Sequence, residues 1–171
     1  MSNHFELFDL PPAFAIDAAA LDDAYRRIQA QVHPDRFAAA GDAERRASMQ
    51  WTTRANEAYR ALKDPVQRAK HLLELEGIDV GFETNTQMPA DFLMQQLEIR
   101  EALEAATERR DPEALDGLSE ALLVQRRSLE RDIAQAIDER KDYAAAAGLV
   151  RKLQFLHRIG EEIDTAYAAL E

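Results

Sequence analysis

His33 and Asp35, separated by Pro34, are the residues of this 171-residue chain with the most chemical potential. An imidazole and a carboxylate two positions apart could act as acid and base, ligate a metal, or present hydrogen-bonding groups to a partner. The first two uses need company. His4 and His71 stand at no ligand spacing from the pair, and no glutamate-rich site converges on it in the sequence, so a metal centre or a hydrolase is poorly supported. The chain has no cysteine, which excludes thiolate metal sites, disulfides and cysteine nucleophiles. No cofactor and no bond-making chemistry are expected. In the plainest reading, Pro34 and Asp35 merely stop a helix and shape a loop.

The elements around the tripeptide argue for more than that. Asp17 is a suitable N-cap for a helix running to about Val32, with Leu21, Ala24, Tyr25, Ile28 and Val32 at helical spacing. Pro34 disfavours helical geometry at His33 and ends that helix. After a loop from His33 to Gly41, Asp42 can cap a second long helix to about Leu62, antiparallel to the first because the connection is short. Asp64 and Pro65 read as the cap and first residue of a further helix that ends at Gly77. The tripeptide therefore sits at the tip of a helical hairpin. Ahead of it come a short apolar segment, Phe5, Leu7, Phe8 and Leu10, and the pair Pro11–Pro12.

Residues 77–89 hold two glycines, a proline and few helix formers, and read as a linker. It divides an N-terminal domain, 1–76, from a C-terminal one, 90–171. The second domain should contain helices over about 90–109, 112–139 and 142–169, joined by short turns into a three-helix bundle. No stretch alternates in the manner of a strand, so the fold class is all-α. Charge differs between the halves: 10 basic against 12 acidic residues up to residue 76, and 11 against 20 beyond it. The acidic half would repel nucleic acid and anionic membrane, and neither is expected as a partner. No apolar stretch is long enough to span a bilayer, and the N-terminus lacks the order of a secretory signal, which makes the cytoplasm the expected compartment.

The hairpin resembles the J domain over about residues 4–72. The resemblance is carried by Tyr25, Arg26 and Arg27, then His33, Pro34 and Asp35, then Asn56, Glu57, Ala58, Tyr59 and Leu62, and finally Asp64, Pro65, Arg68 and Ala69. It implies a co-chaperone that stimulates the ATPase of a DnaK-type heat-shock chaperone. On this chain the contacts would fall on His33, Pro34 and Asp35, with Tyr25, Arg26 and Arg27 on the preceding helix and Arg36 as a lesser addition. Val32 stands where many J domains have tyrosine, and Ala30 and Gln31 dilute the basic patch. The contact is expected to be charged and therefore salt-sensitive.

A second face emerges from helical-wheel arithmetic. Phe92, Ile99, Leu103 and Ala106 form one narrow stripe that can anchor their helix in the bundle. Leu93, Met94 and Leu97 lie off that stripe, with Glu101 on the far side. In the last helix Ala146, Leu149, Val150, Leu153, Leu156 and Tyr167 face inward, and Phe155 points almost opposite Leu153. Burial in a wide core or against the other domain would explain these residues as well as a docking patch would.

The segments from Phe92 to Glu101 and from Val150 to Leu156, together with Arg68, Ala69, Leu72, Leu73 and Leu75, are similar to the HscB family, and with them the resemblance spans nearly the whole chain. It implies a J-type co-chaperone of iron–sulfur cluster assembly that delivers the scaffold protein IscU to the chaperone HscA. The implied scaffold-binding residues are Leu93, Met94, Leu97, Glu98, Glu101 and Phe155, while Ala105 replaces an expected acidic contact. The cysteine motif of eukaryotic relatives is absent. The alternatives are a general J protein handling unfolded clients and, from another class, a hydrolase built on His33 and Asp35.

Overall fold

A computed structural model describes residues 3–81 and 88–171. Within them the chain forms helices α1 (His4–Leu7), α2 (Ala18–Val32), α3 (Asp42–Lys63), α4 (Pro65–Leu75), α5 (Ala90–Glu108), α6 (Pro112–Ala134) and α7 (Tyr143–Ala168). A 3-10 turn at Pro34–Phe37 follows α2, and a π turn at Gln135–Glu139 extends α6. The fold is all-α, as the composition and spacing predict. Two compact units comprise residues 1–72 and 73–171.

In the first unit, α1 is closed by a capping box: Asn3 accepts from the Glu6 N–H, and Glu6 accepts from the Asn3 N–H. Phe5 on this helix is fully buried. Asp17 caps α2 as its sequence predicts, accepting from the Ala19 and Ala20 amides. Helices α2 and α3 are antiparallel, because the start of α2 meets the end of α3 through Asp22, Tyr59 and Lys63, and the end of α2 meets Ser48. The hairpin buries Leu21, Ala24, Ala55, Ala58 and Leu62. Full burial of one leucine contributes roughly 2 kcal/mol. Arg68 on α4 braces the hairpin by donating to the carbonyls of Phe14 (2.8 Å) and Leu62 (2.7 Å).

One cap differs from expectation. Gly41 occupies the N-cap of α3 and Asp42 is its first helical residue, with no side-chain cap bond. Asp42 instead pairs with Arg45 one turn on. Its carboxylate still favours the positive end of the helix from there. Asp64 does act as foreseen, accepting from the Val66 N–H at 3.0 Å.

In the second unit α5 and α7 run parallel and α6 antiparallel to both: Phe92 meets Phe155, Arg100 meets Glu162, and Tyr167 donates to Asp116. Phe92, Leu103, Leu115, Leu122, Leu156, Ile159 and Ile163 form its core. Asp111 and Asp142 cap α6 and α7, and the π turn buries Ala136 and Ile137. Of the sequence-predicted linker, residues 82–87 lie outside the described part. Val80 just before them is buried, and its carbonyl accepts from the Arg151 guanidinium at 3.0 Å.

Candidate functional sites

The loop between α2 and α3 is built by local sequence. His33 takes φ −57° and ψ 132°, the extended geometry that a following proline enforces. Its Nδ1 accepts the Asp35 N–H at 3.2 Å, which orients the ring. The Arg36 N–H donates to the His33 carbonyl (3.0 Å), and the Arg36 guanidinium donates to the Ala30 carbonyl (2.9 Å). Arg36 thus caps the end of α2. The Val32 carbonyl is held from the other side by the hydroxyls of Ser48 and Thr52.

What these bonds hold steady is an exposed corner. The Asp35 side chain is 93% exposed and the His33 side chain 47%. The Asp35 carboxylate lies 3.6 Å from His33 Nδ1, and Pro34 is exposed between them. Both polar groups therefore face solvent rather than the hairpin.

Tyr25, Arg26 and Arg27 fall two turns earlier on α2. Arg26 and Arg27 are exposed, and Arg26 lies 3.6 Å from Asp23. Tyr25 is half-buried in the hairpin seam: its ring stacks on Tyr59 (centroids 4.2 Å apart), and its hydroxyl donates to Asn56. Tyr59 in turn donates to Asp22 at 2.7 Å, and Lys63 donates to the same carboxylate at 2.9 Å. Those two bonds hold the Asp22 carboxyl below the usual carboxylate range, and the first of them, from Tyr59, pushes the Tyr59 phenol up. The network fixes how α2 presents its arginines.

On α5 the sequence-predicted stripe is the buried one: Phe92, Leu103 and Ala106 are buried and Ile99 partly so. Leu93, Met94 and Leu97 are 43%, 64% and 58% exposed, with Glu98 and Glu101 exposed beside them. Phe155 differs from its expectation of pointing outward. It is partly buried, edge-on to Phe92 at 6.1 Å, with the Arg100 guanidinium 5.1 Å from its ring centroid. The packing of α5 alongside α7 supplies that cover, which a wheel drawn for α7 alone lacks. Sequence reasoning missed Gln96, which is 2% exposed and whose side-chain amide has no hydrogen-bond partner among the described residues. Its place between Phe92 and Ile99 was the available signal.

Among the described residues no group of three or more His, Asp or Glu side chains could hold a metal ion, and no helix is long and apolar enough to cross a membrane.

Residues 88–164 match the family model described as the HSCB C-terminal oligomerisation domain. A co-chaperone protein HscB homolog of Burkholderia vietnamiensis is 53% identical over 169 residues, covering 99% of this chain and 96% of that protein. One from Paraburkholderia xenovorans is 52% identical with the same coverage. Among solved structures, the chaperone HscB from Vibrio cholerae matches with a TM-score of 0.87 and 34% identity, over 99% of this chain and 100% of that one. The human co-chaperone protein HscB matches with a TM-score of 0.90 and 28% identity, over 96% and 82% of the two chains.

Proposed function

This chain belongs to the HscB family of co-chaperones, and on that premise we propose that it couples an iron–sulfur scaffold protein of the IscU type to the ATPase of an HscA/DnaK-type chaperone. The family is one of J-type co-chaperones in iron–sulfur cluster assembly and is not an enzyme family. In this reading the chain makes and breaks no bonds itself and works in the cytoplasm.

The observation that carries the reading is the exposed corner at His33, Pro34 and Asp35, held rigid from α2 and α3 by Arg36, Ser48 and Thr52. A partner arginine can reach the Asp35 carboxylate without any rearrangement of the hairpin, and a charge-assisted bond there is strong once solvent is excluded. Arg26 and Arg27 supply positive charge that speeds encounter with an acidic partner surface. In the second unit, Leu93, Met94 and Leu97 with Glu98 and Glu101 make an apolar centre with an acidic rim, the composition of a contact that carries affinity. Phe155 supports that patch from below through its contact with Phe92.

The test is to titrate the purified chain into the chaperone, with and without the scaffold, and follow ATP hydrolysis. Stimulation by wild type and its loss in Asp35→Asn are expected, with scaffold binding retained in both. Equal stimulation by the variant contradicts the proposal. Binding of many denatured proteins, independent of Leu93 and Leu97, would point instead to a general J protein.

A further inference from the structure

An open groove of about 480 Å³ lies between α1, α2 and α3, lined by Glu6, Leu7, Ile28, Gln31, Val32 and Trp51. Four of these six side chains are apolar. Trp51 is the chain's single tryptophan and is 43% exposed, with the Arg54 guanidinium 5.0 Å from its ring centroid. A solvated helix gains nothing from an indole at such a position, and tryptophan is the residue most enriched where binding energy concentrates.

The groove is continuous with the loop. Gln31 and Val32 line it, and the next residue is His33. Any protein that covers His33 and Pro34 therefore comes up against its rim. The residues from Ala30 to Val32 carry no charge of their own, and the cations nearest this edge are Arg36 on the Ala30 carbonyl and Arg54 over the Trp51 ring. Val32 lines the opening with a short apolar side chain.

We propose that the groove takes an apolar segment of the same ATPase partner that the His33 loop engages, so that this contact has an apolar anchor at Trp51 as well as a charged one at Asp35. The inference rests on the function proposed above. It makes the contact less sensitive to salt than one built on charge alone, because burial of apolar surface is not screened.

The experiment uses the full chain and a purified DnaK-type chaperone. ATPase stimulation is titrated with wild type, Trp51→Gln and His33→Gln. The one tryptophan of the co-chaperone is also labelled as 5-fluorotryptophan, and its single fluorine resonance is followed as unlabelled chaperone is added. Trp51→Gln is expected to raise the half-saturating concentration about tenfold at unchanged maximal stimulation, as hot-spot truncation does. The resonance is expected to move with added chaperone and not with the chain's own concentration. Wild-type half-saturation in Trp51→Gln, with His33→Gln inactive, overturns this inference and leaves the proposed function standing. A resonance that moves with the chain's own concentration also overturns it, assigning the groove to a second copy. Full activity of His33→Gln overturns both.

Discussion

The hydroxyl of Ser48, itself buried, donates to the carbonyl of Val32, so the residue before the His33 loop is held by the helix that follows the loop. Thr52 reaches the same carbonyl at 3.3 Å while also donating to the Ser48 carbonyl at 2.9 Å. The free end of α2 thus closes onto α3 rather than fraying into solvent.

Removing that bond should be felt as stability. Ser48→Ala is expected to cost about 1 kcal/mol, the usual worth of a hydrogen bond whose acceptor keeps a poorer second donor. Urea unfolding should show a lower midpoint at unchanged slope. An unchanged midpoint would mean that Thr52 alone holds the carbonyl.

The patch on α5 separates binding from folding. Leu93 and Leu97 are substantially exposed, so their alanine variants should unfold as wild type does, within about 0.5 kcal/mol. Phe155 packs on Phe92 and the bundle core, and Phe155→Ala should lose roughly 1–3 kcal/mol of stability. Combined, the three changes should weaken scaffold binding by several kcal/mol, read by calorimetry. Wild-type affinity in the triple variant would remove these residues from the interface.

His71 predicts a pH dependence. Its Nε2 accepts the His4 backbone N–H at 3.2 Å, and the two imidazoles stack with centroids 4.2 Å apart. Burial, and after it the charge on His4, holds His71 below the ordinary imidazole value of 6.5. The native chain therefore binds this proton less readily than the unfolded chain does. The stability that results is complete above 6.5 and is lost as pH falls through the lower native value. Between about pH 7.5 and pH 5.5, wild type should lose more stability than His71→Gln, whose neutral side chain can still accept the His4 N–H. Parallel losses in urea unfolding would exclude this role.

Much of this architecture could be read from residue order, and the exceptions share a cause. Asp17 and Asp64 announced their helices because capping is a local contest decided within one turn. The seam of α5 was legible because Phe92, Leu103 and Ala106 repeat at helical spacing. The four-residue helix α1 was not, since it is too short for periodicity and stands on the capping box between Asn3 and Glu6 and the burial of Phe5. The π turn at Gln135–Glu139 left no trace of composition. Phe155 was placed outward for a tertiary reason: α5 alongside half-covers it, and a wheel describes a single helix in isolation. At the loop, the order His-Pro-Asp foretold extended geometry at His33. The anchoring of that corner by Ser48 and Arg36 needed the hairpin to close first.

The most direct measurement is single-turnover ATP hydrolysis by the chaperone with saturating wild type or His33→Gln, scaffold affinity being measured on the same preparations. His33→Gln should hold the scaffold as tightly as wild type and give no acceleration above the basal rate. Acceleration equal to that of wild type would contradict the account at its centre.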